Sequence, residues 1–281
     1  FPLSLRPRAK AVIDYVGILF FVLFITPMIL AASEIGKIGT IGPIPTLELA
    51  GSLAMFLAFL WRESKAPEPL IPLSLFKDRL IAISLVTVFV TGIGLFGSML
   101  LLAMILQQMV QMSGIDSGLI LTPLMVVVAL ASIGGGLIVA KTKRYKLLCL
   151  VSLLLLGAGS ALLAWHVQVG PIKVFDLLLD AAIGGIGLGL LLPVHTILIQ
   201  NVAPPESMGV ATSMTQFFRS LGGTIGTGLM SAVMLSLVRQ GTLQQAVVEA
   251  LVLYVVTVAL AVVLNLFLPV VPLVRASKTA Q

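Results

Sequence analysis

The chain has 281 residues, of which 59% are hydrophobic and only 10% are charged, with a formal net charge of +6. Soluble domains carry roughly a quarter charged residues and need a largely polar surface, so this composition excludes a water-soluble fold and predicts a polytopic membrane protein. One cysteine and two histidines likewise exclude a disulfide framework, a Cys-rich zinc site, an iron–sulfur cluster and a multi-histidine metal centre.

Eight apolar runs predict about eight transmembrane helices and therefore an all-α membrane protein, because a bilayer core of about 30 Å needs about 20 helical residues. The runs cover residues 16–32, 47–61, 81–109, 118–140, 147–165, 177–199, 209–237 and 247–270. The first run follows three basic residues, as in a secretory signal peptide, but the seven further runs favour a true span. The second run is the shortest and the weakest of the predicted spans.

Residues 62–79 separate the first two predicted helices from the other six. This connection contains Pro67, Pro69 and Pro72 among mixed charges, a composition that resists helix formation and is typical of a semi-rigid linker. We therefore expect four parts in the chain. They are a cytoplasmic stub with two linker helices (1–61), a cytoplasmic Pro-rich linker (62–79), a six-helix bundle (80–272) and a cytoplasmic tail (273–281).

The basic residues lie in short loops beside the apolar runs, which indicates membrane orientation rather than nucleic-acid binding. Of the 17 Lys and Arg residues, three (Lys37, Lys173 and Arg239) fall in outer loops and Arg219 falls inside a helix, if both ends of the chain are cytoplasmic. The remaining 13 then face the cytoplasm. This excess follows the positive-inside rule, so we expect a multi-pass protein of the plasma or inner membrane with both ends inside the cell.

The predicted helix 209–237 carries a polar stripe at intervals of three or four residues. The stripe includes Thr212, Gln216, Arg219, Gly223 and Thr227, with Thr224 alongside it. Facing lipid, these groups would be unsatisfied, and a charge at membrane depth costs several kcal/mol. The stripe therefore either holds the bundle together through interhelical hydrogen bonds or forms the wall of a translocation pathway. For Arg219 we favour a role in transport or coupling.

Other polar residues inside the runs have two interpretations each. Asp180, about one turn inside the outer end of its helix, either belongs to the pathway or complements the helix macrodipole, and the second is favoured. His195 either relays protons or is an interfacial or satisfied histidine, again with the second favoured. Gln107 and Gln108, late in the third run, either line a cavity or meet the outer interface.

Glycines at a spacing of four predict close helix packing or hinges, because G-x-x-x-G lets helix backbones approach in lipid. Gly185 with Gly189 and Gly222 with Gly226 have this spacing. The full set with this predicted role is Gly185, Gly187, Gly189, Pro193, Gly222, Gly223 and Gly226. A phosphate-binding loop is excluded, because these glycines lie inside long apolar runs and not after a strand.

Five segments carry a resemblance to a known family. They are R-P-R-A-K-A-V-I-D-Y-V-G (6–17), E-S-K-A-P-E-P-L-I-P-L-S-L-F-K-D-R (63–79), L-Q-Q-M-V-Q-M-S-G-I-D-S-G-L-I-L-T-P (106–123), G-I-G-L-G-L-L-L-P (185–193) and P-P-E-S-M-G-V-A-T-S-M-T-Q-F-F-R-S-L-G-G-T-I-G (204–226). In this order they resemble the fourteen-helix drug/proton antiporter branch (EmrB/QacA type) of the major facilitator superfamily. The resemblance implies that the eight spans correspond to helices seven to fourteen, the last six forming the C-terminal bundle.

The resemblance also implies a function. We expect a C-terminal portion of a proton-driven multidrug exporter that works by alternating access, with the proton gradient as its energy source and no cofactor, metal or enzymatic activity. Its partners would be the lipid bilayer, an amphipathic small-molecule substrate and the missing N-terminal half of the same transporter, which normally carries the membrane carboxylates for proton coupling. Nucleic acid is not an expected partner.

The loop K-T-K-R-Y-K (141–146) corresponds by this resemblance to a cytoplasmic gating loop that includes Gly136, Lys141, Lys143 and Arg144. The chain departs from the family pattern there, with Ala140 where an acid is expected and Lys143 where a glycine is usual. From the residues alone, the loop either sets topology and meets anionic lipid or latches helices in one state, and the first is favoured.

Three other functions stay open beside multidrug export. A related exporter of a metabolite, siderophore or lipid-like cargo has the same sequence features. A membrane-embedded enzyme is disfavoured, because the few ionisable residues within the predicted spans, among them Asp180, Arg219 and His195, form no catalytic constellation of clustered His and Asp or paired acids. A non-transporting scaffold is disfavoured by the polar stripe of helix 209–237.

Overall fold

A computed structural model describes residues 14–38, 42–66, 73–204, 208–238 and 242–272. These residues form eight α-helices and, within the described ranges, no strand. The helices are α1 (Tyr15–Ile38), α2 (Pro43–Glu63), α3 (Arg79–Met104), α4 (Gly114–Thr142), α5 (Tyr145–Val169), α6 (Val174–Val202), α7 (Met208–Val238) and α8 (Leu243–Leu266). A 3₁₀ helix (Leu73–Lys77) precedes α3, and a π-helical turn (Ile105–Met109) continues it.

Six of these helices, α2 to α6 and α8, are long and apolar enough to cross a bilayer. The predicted all-helical multi-pass membrane protein is confirmed at this level. In α1 the apolar stretch is the shorter segment Tyr15–Ala31, and α7 is the helix that carries the predicted polar stripe. The second helix is longer than its apolar run, with 21 residues, because Pro43 and Pro45 occupy positions at its start where a missing N–H costs nothing.

The connection between α2 and α3 is partly helical. Asp78 follows the 3₁₀ helix Leu73–Lys77 and caps α3, because its side chain accepts hydrogen bonds from the backbone N–H groups of Leu80 (2.8 Å) and Ile81 (3.3 Å). Several predicted features lie outside the described residues. They are the prolines of this connection (Pro67, Pro69 and Pro72), the predicted stub up to residue 13 and the predicted tail 273–281.

Helix α6 lies at the centre of the bundle and contacts α3, α4, α5 and α7. Helix α8 covers α5, α3 and α7. The two linker helices, α1 and α2, pack on each other, and α1 also lies against α7 through the rings of Phe21 and Phe217, whose centroids are 5.1 Å apart. Buried leucines and valines of α3, α5, α6 and α8 form the main core. This arrangement places α6 and α7, the helices with most of the candidate site residues, side by side.

Glycines let α6 approach its neighbours at backbone distance. A Cβ on Gly187 would lie 2.5 Å from the Ser152 carbonyl oxygen of α5, and one on Gly189 would lie 2.4 Å from the Val128 carbonyl oxygen of α4. Gly185 is less tightly packed, since its Cβ would meet the Val128 side chain at 3.3 Å. Real Cβ atoms do not come within 3.0 Å of backbone, so Gly187 and Gly189 have no room for a side chain.

The last helix ends earlier than its apolar run, at Leu266 rather than at residue 270. Pro269 lacks the N–H that a helix needs, and the chain beyond Leu266 is held by the start of α5 instead. The Tyr145 hydroxyl donates to the Pro269 carbonyl (3.0 Å) and accepts from the Val271 N–H, while Lys146 Nζ donates to the carbonyls of Leu266 (2.7 Å) and Leu268 (3.0 Å).

Candidate functional site

The polar stripe of α7 centres on Arg219, a half-buried side chain in the first half of that helix. Its Nη1 donates to Gln216 Oε1 (3.0 Å) on the same helix, and its Nη2 donates to the Leu192 carbonyl of α6 (3.4 Å). Arg219 Nε is buried and has no partner among the described residues. The guanidinium is therefore only partly satisfied, so it has capacity for a further acceptor.

The other stripe residues fall into two groups. Gln216 is exposed, and Thr212 joins α7 to α6, because its Oγ1 donates to the Met208 carbonyl (2.9 Å) and accepts from Gln200 Nε2 (3.0 Å). Thr224 instead donates to the Ser220 carbonyl (3.0 Å) within its own helix. The structure thus brings Thr212, Gln216 and Arg219 together beside α6 and leaves Thr224 apart from that contact.

Asp180 pairs with a residue of the neighbouring helix and not with Arg219. Its Oδ2 lies 2.6 Å from Nδ1 of His166, in the last turn of α5, and its side chain is 2% exposed against 39% for His166. Because α6 begins at Val174, the acidic residue of its first turn is Asp176, which leaves Asp180 in the second turn. The macrodipole interpretation therefore applies to Asp176 rather than to Asp180.

Two cavities lie on either side of this pair. Asp180 borders a cavity of about 60 Å³ between α3, α4, α5 and α6, whose lining is apolar apart from Asp180, Ser98 and Ser160. His166 borders a wider pocket of about 180 Å³ at the α5–α6 connection. That pocket is lined by Trp165, His166, Val169, Gly170, Pro171, Lys173 and Asp176.

Gln108 and His195 lie elsewhere. Gln108 is exposed on the π-helical turn, while Gln107 beside it donates to Ser117 Oγ (2.9 Å) and ties that turn to α4. His195 is fully buried, with its Nε2 3.8 Å from Cys149 Sγ and its Nδ1 without a partner among the described residues. Neither residue shares a hydrogen bond with Arg219 or Asp180 in the described part of the chain.

The predicted gating loop is an exposed, tight connection between α4 and α5. Lys141, Lys143 and Arg144 are all exposed, and Gly136 lies inside α4 with only the Pro193 side chain within 4.0 Å of its Cβ position. Lys143 has a φ of 55° and forms the left-handed C-cap of α4. Helices commonly end on glycine in this conformation, which gives a physical reason for the glycine that is usual at this position.

A charged pair links the start of α1 to the end of α2. Arg62 donates through Nε (3.0 Å to Oδ2) and Nη2 (3.0 Å to Oδ1) to Asp14, which also accepts the Gly17 N–H (3.0 Å). The hydrogen bond from Arg62 lowers the pKa of the Asp14 carboxyl below its ordinary value. This pair fastens the start of α1 to the end of α2.

The described residues hold no group of three or more His, Cys, Asp or Glu side chains that could bind a metal ion. The family model of the major facilitator superfamily matches residues 11–227. The chain belongs to the major facilitator superfamily.

Relatives in this superfamily include proteins named for drug resistance. The chain is 34% identical to the multidrug transporter protein MdtP of Bacillus subtilis over 79% of its own length and 40% of that protein. It is 30% identical to a multidrug resistance protein B homolog of Mycobacterium tuberculosis, over 82% of the chain and 43% of the relative. A tetracycline resistance determinant of Streptomyces rimosus is 29% identical over 79% and 63% respectively. The chain therefore spans about 40–63% of these relatives' lengths.

In this major facilitator chain, sequence reasoning did not assign a role to His166, Tyr145 or Asp14. The signal for His166 was available in the short α5–α6 connection, because an antiparallel helix pair places residues on either side of its turn next to each other. For Tyr145 and Asp14 the sequence offers no comparable signal, since their partners are 124 and 48 residues away.

Proposed function

We propose that this chain is the C-terminal portion, helices seven to fourteen, of a fourteen-helix multidrug efflux antiporter that is driven by the proton gradient and works by alternating access. The main support is the family match over residues 11–227, together with relatives named for multidrug transport and tetracycline resistance. The shares of those relatives that the chain covers agree with a portion of a longer transporter. No cofactor or enzymatic activity is part of the proposal.

The α7 stripe supports a cavity wall. Arg219 Nε has no partner among the described residues, its bond to α6 is a weak one of 3.4 Å, and Gln216 beside it is exposed. A packed structural arginine would have its donors filled, because an unpaired buried polar group costs about 1–3 kcal/mol. In transporters of this architecture substrate sits between two repeats near the midplane, so we assign α7 and α6 to one wall and the N-terminal half of the transporter to the other.

Glycine contacts support movement between helices. Gly187 and Gly189 bring α6 into backbone contact with α5 and α4, so that no side chain interlocks the helices there. Such interfaces let α6 slide or rock as access alternates. The proposed orientation has both ends of the chain in the cytoplasm of the cell, with the lipid bilayer around the bundle and an amphipathic small molecule as cargo.

The test uses the full-length transporter in proteoliposomes. With an acidic interior, protons leaving the vesicle should drive accumulation of ethidium inside it, and a protonophore should abolish the accumulation. Vesicles without protein are the control for passive partition. Ethidium accumulation that is absent, or that a protonophore leaves unchanged, would overturn proton-driven multidrug antiport. Competition by a metabolite or siderophore but by no drug would assign the same antiporter a different cargo.

A further inference from the structure

The contact between His166 and Asp180 holds a proton. Nδ1 and Oδ2 are 2.6 Å apart, and a ring nitrogen and a carboxylate oxygen that both lacked hydrogen would repel each other at this distance. One proton therefore lies between them, and the pair carries a net charge of −1 or, with one more proton on the imidazole, zero. The pair can thus bind and release a proton without losing its hydrogen bond.

The surroundings of the pair give its two charge states different free energies. Asp180 is 2% exposed and borders the apolar cavity, where an uncompensated negative charge is expensive. From α3 and α4 the residues lining that cavity are uncharged, and α8 meets the end of α5 with Gln244, which donates to the Val167 carbonyl (2.6 Å). The charged groups around His166 are Lys173 and Asp176 in the wider pocket.

The two residues also differ in access. His166 borders the wider pocket at the α5–α6 connection, which the charge pattern predicts to be on the outer side of the membrane. Asp180 borders the cavity between α3, α4, α5 and α6. A proton from outside therefore reaches the imidazole first, and the carboxylate faces the space between four helices. A cation in that cavity would be attracted most strongly while the pair is in its −1 state.

We propose that the His166–Asp180 pair is a binding site, at the α5–α6 end of the bundle, for the proton that the transporter exchanges. The pair takes one proton from water in the outer pocket onto the imidazole, which gives imidazolium and carboxylate with a net charge of zero. When the pair passes this proton on, it returns to its −1 state. This inference rests on the proposed antiport and assigns the proton to residues of the C-terminal bundle.

The experiment measures drug flux in proteoliposomes that contain the full-length transporter. Asp180→Asn should lose accumulation driven by a pH gradient, because without the carboxylate a protonated imidazole would leave a net positive charge beside the apolar cavity. His166→Gln should lose the gradient-driven accumulation too. Asp180→Glu retains a carboxylate and should keep it. Asp116→Asn is the matched control, since Asp116 is an exposed acid at the start of α4 that is hydrogen-bonded to Ser113.

The outcomes separate the two proposals. If the unmodified transporter shows no gradient-driven accumulation, the proposed antiport fails and the assignment of the proton fails with it. If the unmodified transporter is coupled and both Asp180→Asn and His166→Gln accumulate drug as it does, only the His166–Asp180 assignment is overturned. If one of these two variants is missing from the membrane or aggregates in gel filtration, the other variant decides. Gradient-driven accumulation equal to that of the unmodified transporter then overturns the assignment.

Discussion

Gly222 in α7 faces the Phe89 carbonyl oxygen of α3 so closely that a Cβ on the glycine would lie 2.0 Å from that oxygen. The contact is reciprocal, because a Cβ on Gly92 of α3 would lie 2.0 Å from the Arg219 carbonyl oxygen of α7. The two backbones therefore touch without side chains between them. This contact holds the backbone of Arg219 against α3 and directs the position of its guanidinium.

The first prediction concerns this contact. Gly222→Ala should lower the free energy of unfolding by about 1–3 kcal/mol, because the methyl group forces α3 and α7 apart. Gly134→Ala is the matched control, since its Cβ would meet no atom within 4 Å and alanine is the better helix former by about 1 kcal/mol. Thermal unfolding in detergent, followed by gel filtration, measures both. Equal melting temperatures for the two variants would contradict the packing.

The second prediction concerns Arg219. In the full-length transporter, Arg219→Ala should abolish drug resistance while membrane abundance stays normal, because the variant removes the only charge that the sequence places inside α7. Lys77→Ala removes an exposed positive charge outside the spans and should leave resistance intact. Growth in the presence of drug and immunoblots of membranes measure the two quantities. Unchanged resistance in Arg219→Ala would assign Arg219 a structural role.

The third prediction follows from the backbone of Lys143. Because this residue has a φ of 55°, Lys143→Gly should raise the free energy of unfolding by about 1 kcal/mol, the cost of a left-handed conformation for a residue with a Cβ. Lys141→Gly removes the same charge from the last helical turn of α4 and should lower it by about 1 kcal/mol. Opposite shifts in melting temperature are expected. Shifts of the same sign would show that charge, and not backbone conformation, decides stability here.

The fourth prediction compares two tyrosines. Tyr145→Phe leaves the Pro269 carbonyl without the tyrosine hydroxyl and should lower the free energy of unfolding by about 1–3 kcal/mol. Tyr254→Phe should be neutral or stabilising, because the Tyr254 hydroxyl is buried and has no hydrogen-bond partner among the described residues. Hydrogen exchange of residues 267–272 should accelerate only in Tyr145→Phe. Faster exchange in both variants would show that the segment after α8 is held by other contacts.

The fifth prediction is a pH dependence. Arg62 lowers the pKa of Asp14 below its ordinary value of 3.8, so the contribution of the pair to stability is complete above that value. It is lost as the pH falls through the lowered pKa, where the folded protein also becomes protonated. In Asp14→Asn, which keeps an oxygen for the Gly17 N–H, this part of the acid dependence should disappear. Identical acid profiles for the variant and the unmodified protein would refute the ion pair.

The helices were predictable because a span in lipid is defined by local sequence. Each predicted run corresponds to one helix, and the ends differ by a few residues where a capping residue such as Asp78 or a proline such as Pro43 or Pro269 sets the boundary. Local sequence also indicated that Gly222 and Gly226 allow close packing. It did not indicate which backbone they meet, since Phe89 belongs to a helix more than 100 residues earlier.

The site was only partly predictable. Arg219 and Gln216 are a helical turn apart, so their hydrogen bond follows from helix geometry. The bond from Arg219 to Leu192 depends on how α6 lies beside α7, and sequence reasoning left His166 without a role even though its partner Asp180 was a candidate. Pairing between helices depends on rotation and offset of each helix, which no run of apolar residues specifies.

The sequence by itself determined that this chain crosses the membrane repeatedly, because hydrocarbon requires each backbone polar group to be paired within its own helix and the lengths of the apolar runs report that directly. It also determined the family, since the major facilitator superfamily model matches residues 11–227. Only the tertiary structure decided that Asp180 is paired with His166 and that Arg219 keeps one donor without a partner in the described ranges. The physical reason is that partners on different helices are chosen by packing, and backbone contact at glycines such as Gly222 sets that packing.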